Sequence, residues 1–140
     1  MHDVKIGTER KERLLVTPDV AIDFLEMEDA KVLSTPQMIL HMERTCRNAV
    51  LPSLETGYDT VGTHVNVFHL AAAPIGSLVT FTSEITGVED RRVQFKVTAR
   101  TEEELIGEGT HERAIVNIAR FAARMAAKYP RNPEPRASEA

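Results

Sequence analysis

One long amphipathic segment followed by four stretches of strict alternation constrains the fold of this chain more than any other feature. Between Thr35 and Val50, the residues Ile39, Met42, Cys46, Ala49 and Val50 fall on one helical stripe, with His41, Arg44 and Asn48 opposite. From Gly62 the period changes to two. Thr63, Val65, Val67, His69 and Ala71 alternate with His64, Asn66, Phe68 and Leu70, and Val79, Phe81, Ser83 and Ile85 alternate with Thr80, Thr82, Glu84 and Thr86. Val93, Phe95, Val97 and Ala99 then alternate with Arg92, Gln94, Lys96 and Thr98, and Leu105 to Ile118 makes a long last strand. A shorter strand over Glu12 to Val16 precedes the helix. The order predicts an α+β fold: one long central helix wrapped by a five-stranded antiparallel sheet. A single helix covers only one face of such a sheet, so the other face and the edges must be solvated or paired with a second subunit.

The connections carry recognisable turn and cap chemistry. Thr17-Pro18-Asp19 predicts a short helix through Leu25, followed by an acidic loop from Glu26 to Ala30. Thr35-Pro36 opens the main helix, and residues 53–61 read as a loop around Gly57. Gly107 and Gly109 inside the last strand predict a bend or a close backbone approach. Ala119 to Lys128 has helical composition. Residues 1–128 thus read as one domain, and 129–140, with Pro130, Pro133 and Pro135, as a disordered tail.

Seventeen basic against twenty-one acidic side chains give a net charge of −4. That balance argues against nucleic acid or an anionic membrane as partner, because both need a basic stripe. It leaves room for a small anionic ligand held by a few local arginines or lysines. Cys46 is the only cysteine, so neither an internal disulfide nor a cysteine metal cluster can form. Met1 to Lys5 lacks the features of a signal peptide, and no apolar run approaches a membrane span. The expectation is a cytoplasmic protein.

Two side chains stand out on chemical grounds. Glu43 lies about 40° from Ile39 on the helical wheel, beside the apolar stripe. A carboxylate there is either functional or paired, with Arg47 at i+4 the obvious partner. His69 shares its strand face with Val65 and Val67, and approaches Glu43 if that face meets the helix. Thr35 is placed to cap the helix, although a helix N-terminus also polarises carbonyl groups. Thr35 and Glu43 are eight residues apart, ~12 Å along a helix axis, so serving one substrate requires the chain before Pro36 to fold back. His64 and His69 point to opposite faces and cannot share a metal. No metal site, serine-hydrolase elbow or nucleotide loop is present in the sequence pattern.

The segment Gly107-Glu108-Gly109-Thr110-His111-Glu112-Arg113-Ala114-Ile115-Val116 resembles a G-x-G-T-H-E-R-A-V-I stretch of the fluoroacetyl-CoA thioesterases, a hotdog-fold family. Gly62 to Pro74 is similar to that family's histidine-bearing strand, and Ser34 to Glu43 to its threonine-to-glutamate segment. The resemblance implies a hotdog fold, acyl-CoA thioesterase activity, and Thr35, Glu43 and His69 as catalytic residues. It further implies that Gly62 and Arg113 contact substrate, that no cofactor is needed beyond the CoA of the substrate, and that the protein is a homodimer. In that family, phenylalanines before the catalytic threonine form a lid over the fluorinated acyl group. Residues 26–33 contain no aromatic residue, which implies a general or different acyl specificity. On this reading Glu43 either activates water or attacks the carbonyl to give an anhydride, and His69 manages protons at the leaving thiolate. A hotdog enoyl-CoA hydratase or dehydratase, or a non-catalytic acyl-CoA-binding module, would share the same features.

Overall fold

The computed structural model describes residues 2–131. Strand β1 spans Glu9–Leu15, helix α1 Thr35–Val50, β2 Tyr58–His69, β3 Leu78–Glu89, β4 Arg92–Arg100, β5 Leu105–Asn117 and helix α2 Ile118–Lys128. The five strands form one antiparallel sheet in the order β1-β3-β4-β5-β2. The sheet curls around α1, whose buried face carries Met38, Met42, Thr45, Cys46, Ala49 and Val50. Val79, Phe81 and Ile85 of β3, Val93, Phe95, Val97 and Ala99 of β4, and Ile106 and Ile115 of β5 close the core against it. In β3 and β4 these are alternate positions, so period-two patterning translates into one dry face, whereas in β5 Ile106 is out of step with Ile115 because the register slips by one residue beside it, between Ala99 and Arg100. The tail expected beyond residue 128 lies, from 132 onward, outside the described residues.

Several local expectations need correction. Ser34 caps α1: its side chain accepts a hydrogen bond from the Gln37 N–H at 3.3 Å, so Thr35 is freed from capping. The buried stripe is rotated towards Met38 and Thr45, with Ile39 only half-buried. Opposite the stripe, His41 and Asn48 are half-buried: His41 stacks on Phe81 at 5.7 Å, and Asn48 donates to Glu12 at 2.8 Å. The short helix expected over 18–25 is a single 3-10 turn, Pro18–Val20, whose Thr17 makes no capping bond. The chain then pairs back onto the residues before α1 through an Ala21–Leu33 bridge.

β2 starts at Tyr58 and consumes half of the expected loop. It also contains a bulge between Gly62 and His64. The extra residue, Thr63, bonds Glu112 on the outer side, so Gly62 rather than Thr63 shares the helix-facing side with Val65, Val67 and His69. Gly107 and Gly109 lie opposite His69 and Val67 in β2. A Cβ at Gly109 would fall on the Asn66 carbonyl, and one at Gly107 would sit 2.9 Å from the Phe68 carbonyl. The close approach expected from the glycine pair is therefore present, and it lets β2 hug β5 where His69 is carried.

Candidate active site

α1 and β2 supply two clusters on the concave side. The first joins the start of α1 to the end of β2. Thr35 Oγ1 lies 2.8 Å from His69 Nδ1. His69 Nε2 is buried and has no hydrogen-bond partner. Burial lowers the imidazole from its ordinary pKa, offset in part by the main chain at Ala71, so the ring is neutral at pH 7. A neutral ring held at Nδ1 leaves Nε2 without a partner, and a local shift that uncovers it would let it exchange a proton with a reactant. A depression of about 360 Å³ opens beside the pair, bordered by Ile22, Val32, Leu33 and Leu70. Its apolar wall and polar pair are the usual composition of a small-molecule site.

The second cluster sits about two helical turns further along α1. The Glu43 carboxylate faces Gly62, where a Cβ would come within 3.3 Å of Oε1. The same absent Cβ would lie 3.4 Å from His111 Cε1 and 3.5 Å from Arg113 Nη1. Glycine keeps the space above the carboxylate and the guanidinium open. Arg113 is 6% exposed and donates through Nε to Thr60 Oγ1 at 2.7 Å and through Nη2 to the Thr60 carbonyl at 3.1 Å. Its Nη1 is 4.0 Å from Glu43 Oε2. Burial pulls the guanidinium below its ordinary value and Glu43 pulls it back, so it remains a cation. Glu43 does not pair with Arg47, which instead grips Asp59 with two bonds at 2.9 and 2.6 Å.

His111 completes this cluster, and sequence reasoning missed it. It is 3% exposed, its Nδ1 lies 2.8 Å from the His64 carbonyl, and its Nε2 lies 3.1 Å from Arg113 Nη1. A carbonyl only accepts and a guanidinium only donates, so the ring is the Nδ1–H tautomer with a bare Nε2. Burial lowers its pKa, the largest of several influences, which fits that neutral form. The signal was available: His111 and Arg113 are two apart on one strand and therefore share a face.

The five expected site residues thus form two groups within one chain, Thr35 with His69 and Glu43 with Gly62 and Arg113. Gly62 and His69 are seven residues apart on β2, ~23 Å at strand spacing. Cys46, beneath the second group, is no nucleophile: burial pushes its thiol up to about 12. Among the described residues no three His, Cys, Asp or Glu side chains are grouped to hold a metal ion. His64 and His69 do lie on opposite faces, as β2 register requires.

A single long helix wrapped by a five-stranded antiparallel sheet, with paired polar clusters along helix and edge strand, is the arrangement of hotdog-fold proteins. A hot-dog-like protein from Thermanaerovibrio acidaminovorans superimposes with a TM-score of 0.81 over 91% of this chain and 94% of its own, at 24% identity, which bears on the fold alone. The model of the family FlK, fluoroacetyl-CoA-specific thioesterase, matches residues 16–119. The fluoroacetyl-CoA thioesterase of Streptantibioticus cattleyicolor is 41% identical over 103 residues, 74% of each chain. A solved structure of the fluoroacetyl-CoA thioesterase FlK matches with a TM-score of 0.83 and 34% identity over 91% of this chain and 99% of that one. The chain belongs to the fluoroacetyl-CoA-specific thioesterase family.

Proposed function

We propose that this protein is an acyl-CoA thioesterase that works as a cytoplasmic homodimer, with each active site assembled from both subunits. Family membership supports the reaction class. The observation that carries the assembly is the position of the two clusters on β2. This strand is a twelve-residue edge of the sheet, and Val65 and Phe68 on it are 40% and 61% exposed. An open edge of this length, with Val65 and Phe68 exposed on it, is a template for pairing with another chain. Antiparallel pairing with a second copy about a two-fold axis between Val65 and Asn66 would put Gly62 opposite the partner subunit's His69. Glu43 and Arg113 of one subunit then face the partner's Thr35 and the partner's His69. That pairing answers the ~12 Å gap between Thr35 and Glu43 along α1 without any refolding of the chain before it.

In such a site the thioester carbonyl lies between the two clusters. The α1 N-terminus of one subunit polarises the carbonyl oxygen, and Glu43 of the other either draws a proton from water or attacks directly. The C–S bond breaks as the tetrahedral intermediate collapses; His69 gives the departing thiolate a proton and regains one from the water consumed, which either attacks the carbonyl itself or hydrolyses the Glu43 anhydride. Arg113 fixes the Glu43 carboxylate and balances its charge. Since residues 26–33 lack the aromatic lid, the acyl group need not be fluorinated. The single free, buried Cys46 suits a reducing compartment.

The test is thiol release from a panel of acyl-CoA esters by wild type, Glu43→Gln and His69→Ala. Both variants lose at least a hundredfold, about 2.7 kcal/mol of barrier, if the roles are right. Turnover by both within about threefold of wild type, under about 0.7 kcal/mol, overturns the assignment. Mixing the two inactive variants separates the assemblies. Random reassortment of a shared-site dimer restores roughly a quarter of wild-type activity, whereas sites contained within single chains restore none.

A further inference from the structure

At the start of β2 the protein has a second cleft, about 250 Å³ in volume, bordered by Arg91, Arg120 and Arg124 with His2, Tyr58 and Asn117. Arg91 comes from the turn between β3 and β4, and Arg120 and Arg124 lie four apart on α2, on one helical face. Arg47, Arg92 and Arg113 each have a carboxylate within 4.0 Å. Among the described residues, Arg91, Arg120 and Arg124 have none. Three arginines from two elements therefore border one cleft in a chain of net charge −4, with the Arg124 guanidinium 5.8 Å from the Phe121 ring centre. Like charges around one cleft favour an anion between them.

We infer that this cleft binds the phosphate groups at the nucleotide end of a coenzyme A ester; the inference rests on the thioesterase reading for the identity of the ligand. Tyr58, which borders the cleft, shares a β2 face with Thr60 and Gly62, since the bulge begins only after Gly62. Tyr58 to Gly62 is four residues, ~13 Å along the strand. The pantetheine arm of CoA runs through about twelve bonds from sulfur to the first phosphate, the length of four extended residues, ~14 Å. An ester held with its carbonyl over Glu43 and Gly62 and its arm directed towards Tyr58, passing outside the buried Thr60, would reach the arginines with its phosphates. The guanidinium fork matches phosphate oxygens in pairs, and three of them suit a ligand with three phosphates. Nothing of the acyl group reaches this cleft, so it serves affinity and capture and leaves acyl selectivity to the other end.

Binding of free CoA and of pantetheine, which lacks the phosphates, tests this by calorimetry on the full-length protein. The triple variant Arg91→Gln/Arg120→Gln/Arg124→Gln is expected to lower the ratio of CoA to pantetheine affinity at least tenfold. The single variant Arg124→Gln, whose side chain is exposed, lowers it by a smaller factor and guards against a folding defect. The CoA affinity of wild type also falls with added salt, and that of pantetheine does not. An unchanged ratio in the triple variant, with its thermal transition intact, overturns the inference. The two readings fail separately. A wild type that hydrolyses no ester, but whose CoA affinity depends on the arginines, keeps the phosphate cleft and loses the thioesterase. A triple variant with wild-type KM for acetyl-CoA and an unchanged affinity ratio loses the cleft and keeps the thioesterase.

Discussion

Arg113 is buried, charged and bonded to Thr60 through two of its three nitrogens, which leaves Nη1 to choose between His111 and Glu43. His111 accepts from that nitrogen only while its own ring is neutral. Replacing it with leucine strips a buried donor of its partner, a loss of about 1–3 kcal/mol of stability. It also releases the guanidinium from its position beside Glu43. His111→Leu is therefore expected to lower kcat for acyl-CoA at least tenfold, while His111→Gln, which offers an amide oxygen, stays within about threefold, or about 0.7 kcal/mol. Equal rates in the two variants would separate His111 from the site. Cys46 gives a second prediction at this scale. With its thiol buried and raised to about 12, it should resist aromatic disulfide reagents in the native protein and react only after unfolding. Fast labelling at pH 8 would contradict the packing around α1.

Among the elements, the β2–β5 pair depends on its glycines more than on its side chains. Gly109→Ala sets a Cβ against the Asn66 carbonyl and must push β2 away from β5 or break the pairing at Val67. The expected loss is about 1–3 kcal/mol in denaturant unfolding, with activity falling further because His69 moves with the strand. Gly62→Ala differs: its Cβ meets no backbone, only the movable carboxylate of Glu43 at 3.3 Å, with His111 and Arg113 at ordinary contact distances of 3.4 and 3.5 Å, so stability changes little while turnover drops. If the two alanines behave alike, the distinction between backbone and side-chain contact is wrong. The glycine pair was legible in the sequence because glycine weakens a strand interior and is kept there mainly where the strand bends or another backbone comes close. The start of α1 was legible too, since Pro36 fixes it within one residue, while its stripe located the buried face only approximately, missing Met38 and Thr45. The bulge at Thr63 was not, because alternation carries no mark of an inserted residue when neither neighbour, Gly62 or His64, has an apolar side chain. The strand start at Tyr58 was hidden for a similar reason: Tyr58 to Val61 pairs with β5 through its backbone, and its side chains do not alternate in polarity. Thr35 and His69 could be picked out singly, but that their side chains meet at 2.8 Å depends on the path from Leu15 to Leu33, which no local pattern encodes.

For the whole molecule, the titration of buried groups sets how stability responds to acid. His41, His69 and His111 are each held below their ordinary pKa, in every case chiefly by burial. In the unfolded chain each takes up a proton near pH 6.5, while in the folded chain uptake is deferred to lower pH. Between those two values the unfolded state binds more protons, so stability falls as pH is lowered. His111, at 3% exposure, should contribute most, with a slope of up to about 1.4 kcal/mol per pH unit below about 6.5. The charged groups acting on it are Arg113, Glu43 and His64; two of these oppose its protonation and Glu43 alone favours it. At lower pH a second loss sets in. The Arg47 bonds hold the Asp59 carboxyl below its usual range, so its contribution persists until that carboxyl protonates in the folded state. Denaturant unfolding from pH 7.5 to 4 at fixed protein concentration should therefore show stability declining from about pH 6.5, in a limb that His111→Gln flattens and Asp59→Asn does not. Fixed concentration matters because self-association, where it occurs, shifts apparent stability by mass action. A limb that survives in His111→Gln would transfer the effect to His41 and His69, and His69→Gln would then carry the answer to the first cluster.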